Sequence, residues 1–217
     1  MGGNAATLLG FALSTLTALF VVVDPFGCVP LFVAITEGDS AEHKRRTALR
    51  ASIIAGTILA LFALTGTLIF RLLGISEGAF RIAGGMLLFL LGVDMLRAQR
   101  SRQRTTPEEE AEGATKPDVS VFPLAVPALA GPGAISTVMV LVSRAHQPGH
   151  YLVILGSVLA TLVVTYWVLR GAAAIAHRMG QTGMNVLERI MGLILAAVAV
   201  QFVVDGVNLA WSHLLKR

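Results

Sequence analysis

Charge is what this sequence has least of. Asp, Glu, Lys and Arg make up 14% of its 217 residues, against about 25% in a soluble globular domain. The hydrophobic share is 55% and the mean hydropathy +0.74, so the composition points to a polytopic membrane protein. Cysteine is nearly absent: Cys28 stands alone, which excludes an internal disulfide and any cysteine-based zinc cluster. The five histidines (His43, His146, His150, His177 and His213) fall in loops or near the ends of apolar runs. No pair has metal-ligand spacing on one buried face. HExxH, GxSxG, Walker A and GxGxxG are missing from any suitable setting, so an enzyme, a cofactor and a resident metal are not expected. The basic balance of 17 Lys+Arg over 13 Asp+Glu needs only loops beside anionic lipid. Nucleic acid is not an expected partner.

Long apolar runs are what the sequence has instead. Six segments reach the roughly 20 residues that cross a hydrocarbon core: about 5–35 (interrupted), 51–70, 79–96, 119–142 (interrupted), 151–176 and 186–209. Gly, Ala, Ser and Thr are scattered through them, the composition of helices packed closely in lipid. Barrel strands would be shorter and alternating. The first run has no Lys or Arg before it and no small-x-small site after it, so it reads as a span rather than a secretory signal. One connection is long: around Arg97, Arg100, Arg102, Arg104 and the acidic run Glu108-Glu109-Glu110 it reads as a solvated linker. The odd-numbered loops hold twelve Lys+Arg and the other side five. That imbalance predicts cytoplasmic odd loops and both termini outside.

Two of the runs are broken. Asp24-Pro25-Phe26-Gly27-Cys28-Val29-Pro30 interrupts the first, and Gly131-Pro132-Gly133 the fourth, with Pro132 lying 107 positions after Pro25. Proline removes a backbone hydrogen bond and glycine lets the chain leave helical geometry. In a bilayer such breaks survive only where they are buried in protein or line a wet cavity. A second landmark agrees in spacing: Arg81-Ile82-Ala83-Gly84 recurs as Arg189-Ile190-Met191-Gly192, 108 positions on. The expected fold is therefore all-α integral membrane, with six transmembrane helices as two inverted three-helix repeats and spans one and four broken at midplane. Residues 1–97 form the first repeat, 98–118 a cytoplasmic linker and 119–217 the second. Three spans per repeat, an odd number, invert the second copy.

Asp24 is the sharpest candidate for chemistry. A carboxylate at membrane depth normally faces a cavity or a partner, and desolvation favours the neutral form of such a group, which suits a proton carrier. Asp before Pro also caps or turns a broken helix, and the sequence leaves both roles open. Unwound backbone offers free N–H groups at one half-helix start and free carbonyls at the other half-helix end, matching a zwitterion. On that reading Asp24, Pro25, Gly27, Pro30, Gly131, Pro132, Gly133, Ser136 and Thr137 are the expected substrate-binding positions, with Thr36 a further hydroxyl. Gln201, Asp205, Arg81 and Arg189 are expected as polar support, although interhelical bonding and snorkelling explain them as well. Asp94 and Asp205 fit interfacial solvation or an ion pair, and Asn208 fits interhelical bonding.

At these residues the chain resembles a known family. Asp24-Pro25-Phe26-Gly27 with Pro30-Leu31-Phe32, Arg81-Ile82-Ala83-Gly84-Gly85, Pro123-Leu124-Ala125-Val126-Pro127 leading to Ala130-Gly131-Pro132-Gly133-Ala134-Ile135, and Gln201-Phe202 with Asp205-Gly206 are similar to the MarC family, almost end to end. The resemblance implies a bacterial inner-membrane secondary transporter, related at a distance to LysE-type exporters and carrying small neutral amino acids such as glycine and alanine. Where many relatives have Asn after the first-break Gly, this chain has Cys28, which removes an amide. The coupling ion implied is H+ or Na+. The expected partners are a small-molecule substrate and the lipid bilayer, and a homo-oligomer stays open. Export of another solute or a metal ion, and a non-transporting scaffold or sensor, are the competing readings; few His, Cys and carboxylate ligands in the apolar runs weigh against a metal.

Overall fold

A computed structural model of the chain describes residues 2–97, 119–145 and 147–214; the expected linker over 98–118 lies outside the described residues. Every regular element among the described residues is helical: α1 Gly2–Val23, α2 Val29–Ile35, α3 Ala41–Leu73, α4 Glu77–Leu96, α5 Ser120–Leu129, α6 Pro132–Ser143, α7 Pro148–Arg170 and α8 Ala172–Leu214. The protein is thus an all-α membrane protein. Among the described residues four helices are long and apolar enough to cross a bilayer: α3 over Ala41–Gly66, α4, α7, and α8 over Thr182–Trp211. The pair α5 and α6, bent by 52°, makes a fifth broken or re-entrant segment, while the apolar stretch Leu8–Val23 is shorter because the chain leaves the helix at Asp24.

Local chemistry sets the boundaries. α3 stops where Gly74 takes φ 65, and Ile75 N–H bonds Phe70 O at 3.1 Å, the glycine ending common at helix C-termini. Ser76 then caps α4 by accepting from Ala79 N–H at 3.2 Å. At Gly180, φ 60 and ψ 179 turn α8 sharply, a geometry open only to glycine at low cost. Large side chains such as Leu72 and Leu152, 75% and 73% exposed, cover the outside. In a bilayer their partner is lipid.

The core is organised on the antiparallel pair α4 and α8. Gly78, Gly85 and Gly92 face Gly206, Ala199 and Gly192 in turn: a β-carbon on each α4 glycine would stand 3.0, 2.7 and 2.9 Å from the facing carbonyl oxygen. Seven-residue spacing keeps small residues on one face of each helix. Between helices in lipid there is no hydrophobic drive, and close backbone approach through small residues supplies packing and Cα–H···O contacts instead. α6 packs on α4 beside this seam, α1 packs on α7 and α6, and α3 on α5, α6 and α7.

Candidate functional site

The first break is a buried turn built around one carboxylate. Asp24 is 1% exposed and takes φ 48, the left-handed region in which Asp and Asn are the best tolerated side chains after glycine. Its own N–H still bonds Phe20 O at 2.9 Å, and its Oδ1 accepts from Gly27 N–H at 3.1 Å. Pro25 cannot donate, so α1 ends here. Pro30 sits in the first turn of α2, where its missing N–H costs nothing. Cys28, the residue before α2, makes no side-chain cap bond. Its thiol lies 3.9 Å from Val23 O, and Thr36 Oγ1 bonds back to Phe32 O at 2.7 Å. Asp24 therefore holds the turn, a role compatible with its also carrying a proton.

The second break begins earlier than the sequence suggested. The segment is interrupted at Gly131-Pro132-Gly133 as expected: α5 ends at Leu129, the chain bends by 52°, and Pro132 and Gly133 begin α6. The irregularity extends upstream into α5, where Phe122 (φ −131, ψ 128) and Val126 (φ −130, ψ 123) are extended and the following Pro123 and Pro127 are cis. Prolines four residues apart, neither able to donate and both disfavouring helix at the residue before, explain the shift. Gly131 is where the chain recovers: a β-carbon there would lie 2.3 Å from Pro127 O, so no other residue fits.

A cavity of about 180 Å³ opens at this second break, lined by Gly131, Pro132, Gly133 and Ala134, by Pro127 to Leu129, by Leu87 and Leu91 of α4 and by Val22 of α1. That volume is well above the ~10–15 Å³ one water needs. Val22 lies two residues before Asp24, so the two breaks adjoin. Asp24, Pro25, Gly27 and Pro30 stay on the first-break side and do not line this cavity. Ser136 faces Gly84 of α4, and Thr137 Oγ1 bonds back to Gly133 O at 2.9 Å, the self-satisfied state common for membrane-helix hydroxyls.

The polar residues at the ends of α4 and α8 form a separate cluster. Asp205 pairs with Arg144 and also accepts from Gln201 Nε2 at 2.7 Å. Arg81 pairs with Glu77 and donates from Nε to Ser143 Oγ at 3.1 Å. Arg144 also lies over the Phe202 ring, 5.0 Å from its centre. Burial pushes the Arg144 pKa down from its ordinary value, Asp205 holds it up, and the charge of Arg81 nearby lowers it again. Arg81, Glu77, Ser143, Arg144, Gln201 and Asp205 thus tie α4, α6 and α8 together at one end. Arg189 is exposed at the far end of the α4–α8 pair. Sequence reading missed Arg144 and Glu77, since nothing local marks a partner 61 positions from Asp205. We expect Asp205→Asn to destabilise the protein by about 1–3 kcal/mol, because it strands a mostly buried guanidinium, and Arg144→Met in the same chain to recover part of that. A thermal-unfolding cycle with coupling under about 0.5 kcal/mol would show the pair to be solvated.

Comparison with known proteins agrees with this architecture. The model of the MarC family of integral membrane proteins matches residues 9–211. The chain is 38% identical over 202 residues to the UPF0056 membrane protein YvbG of Bacillus subtilis, covering 93% of this chain and 96% of that one. It is 38% identical over 201 residues to the UPF0056 membrane protein MJ1677 of Methanocaldococcus jannaschii, covering 92% and 97%. Against YhcE of Escherichia coli the identity is 33% over 197 residues, covering 91% and 92%. No solved structure matches. Matched nearly from end to end, and built of apolar helices broken at the motifs that carry the likeness, the chain belongs to the MarC family of integral membrane proteins.

Proposed function

We propose that this protein is a secondary carrier of small neutral amino acids, coupled to H+ or Na+, and not an enzyme. The observation that carries the reading is the cavity where the two broken helices meet. All its lining residues are apolar, Gly or Pro, so only main-chain N–H and C=O groups are available to bond a solute. Half-helix ends suit the carboxylate and ammonium of a zwitterion. A charged substrate side chain would find no counter-ion there, and Gly133, whose added β-carbon would come within 3.1 Å of Leu88, leaves little width.

Alternating access fits two inverted three-helix repeats, residues 1–97 and 119–217, with α1–α2 and α5–α6 as the broken spans that complete six. Packing supports this plan. Exchanging α1–α2 with α5–α6, α3 with α7 and α4 with α8 carries the larger contacts onto one another, α1 on α7 answering α5 and α6 on α3, and α2 on α8 answering α6 on α4, while the smaller contacts of α7 with α6 and α8 have no such counterpart. The seam obeys the same exchange. A shift of 107 carries Gly85 to Gly192 and Gly92 to Ala199, so the contact Gly85–Ala199 becomes Gly192–Gly92. The spacing followed is the 107 of the prolines, not the 108 of the Arg-Ile match. On this plan the basic odd loops face the cytoplasm of a bacterial inner membrane and both termini lie outside.

The test is uptake into proteoliposomes of labelled glycine, alanine and serine beside lysine, glutamate and divalent cations, with and without H+ or Na+ gradients. Saturable, gradient-driven uptake of the small neutral set is the expected result. Uptake of cations alone, or no flux by a protein shown to be folded, would replace this reading with a metal carrier or a non-transporting protein.

A further inference from the structure

The largest hollow of the two described, about 480 Å³, is not at the breaks but on the flank, between α3 and α7. It runs from Leu49 and Tyr166 to Ala60 and Leu155, and only Ser52, Thr57 and Tyr166 among its lining residues are polar. Thr57 Oγ1 is occupied by Ile53 O at 2.9 Å. Ser52 differs: it is 6% exposed, and its hydroxyl has no hydrogen-bond partner.

The two helices bring charge to one end of this groove. Gly66, late in α3, lies against Val142, six residues before α7 begins, so α3 and α7 run antiparallel and Leu49 shares an end with Tyr166. One turn before Leu49 stand Arg45 and Arg46, and one turn after Tyr166 stands Arg170. Residues three or four apart share a helix face, so all three guanidiniums flank the groove mouth. Among the described residues a single carboxylate answers them: Glu42 bonds Arg45 at 3.1 Å and lies 3.4 Å from Arg46, leaving a net positive mouth. Arg170 stacks over Trp167 at 4.9 Å, and Trp167 meets Tyr166 edge-on at 5.5 Å. Such an aromatic pair beside arginine is the signature of head-group level in a bilayer.

We propose that the α3–α7 groove is a binding site for an anionic phospholipid: one acyl chain in the slot along Gly56 and Leu162, and the phosphate between Arg45, Arg46 and Arg170. Charge complementarity selects the lipid, since a zwitterionic head group would bring its own cation to a mouth already positive. The proposal depends on the membrane-spanning fold and not on the transport reading.

The test is native mass spectrometry of the full-length, delipidated protein titrated with phosphatidylglycerol or phosphatidylcholine. The first phosphatidylglycerol is expected to bind at least tenfold more tightly. Arg45→Gln, Arg46→Gln and Arg170→Gln should erode that preference by about fivefold each, and these exposed sites leave the fold intact. Thr57→Trp, filling the slot from its exposed edge, should lower the affinity for both lipids. Equal binding of the two lipids by the wild type overturns the proposal, as does arginine-dependent binding of inorganic phosphate that matches the lipid. A dimer that Thr57→Trp dissociates would assign the groove to a second copy and likewise overturn it.

Discussion

Asp24→Asn should, on the proposed carrier reading with Asp24 as the proton site, leave the protein folded and able to exchange substrate, yet unable to accumulate it against a gradient. Asn tolerates the left-handed φ of 48 almost as well as Asp, and its amide oxygen can accept from Gly27 N–H as the carboxylate does. What it cannot do is take up and release a proton. Asp24→Ala, by contrast, should lower stability by about 1–2 kcal/mol, because it loses the turn bond to Gly27 N–H and with it the local hydrogen bonding that lets a short polar side chain tolerate the left-handed region. Thermal unfolding separates the two variants. Counterflow exchange beside gradient-driven uptake, measured for Asp24→Asn in one set of vesicles, then tests the coupling role. Undiminished accumulation across roughly pH 5.5 to 8 would leave Asp24 as a turn residue alone.

The second large effect is expected at the α4–α8 seam. A β-carbon on Gly85 would stand 2.7 Å from Ala199 O and 3.0 Å from Val203 N, both backbone atoms that cannot swing aside. Gly85→Leu must therefore force the helices apart, at a cost above the 1–3 kcal/mol of ordinary overpacking. A drop of at least about 10 °C in thermal midpoint, or failure to accumulate in the membrane, is the expected readout. Gly156→Leu is the matched control, because nothing lies within 4 Å of a β-carbon there and removing a helical glycine is favourable by roughly 0.5–1 kcal/mol. Equal behaviour of the two variants would mean that the seam does not hold the bundle together.

Helical class, and the existence of most long helices, were legible because apolar runs of bilayer length leave few alternatives. The first break was legible for a local reason, since Asp24-Pro25 cannot continue a helix. The second was legible at Gly131-Pro132-Gly133, where the segment bends by 52°, but its upstream extent was not read: Pro123 and Pro127, four apart, carry the signal that α5 is irregular as well. Glycines seven apart at Gly78, Gly85 and Gly92 were visible in the sequence, but their meaning needed the facing row at Gly192, Ala199 and Gly206. Gln201, an expected polar-support position, bonds Asp205 one turn along its own helix and through it joins the pair with Arg144. The pair Arg144–Asp205 and the orphaned Ser52 hydroxyl depend on which helices become neighbours, and spacing along the chain carries no record of that.

Two rods touching main chain to main chain have no play between them. With carbonyl oxygens lodged where side chains would otherwise cushion the contact, α4 cannot slip past α8 by even one residue without driving Met95 or Ile82 into the opposing backbone. The pair is a keel. On the proposed carrier reading, a stroke that opens the protein to one side of the membrane and then the other would fall to the parts hung on this pair, the half-helices that meet at Asp24 and Gly131 among them.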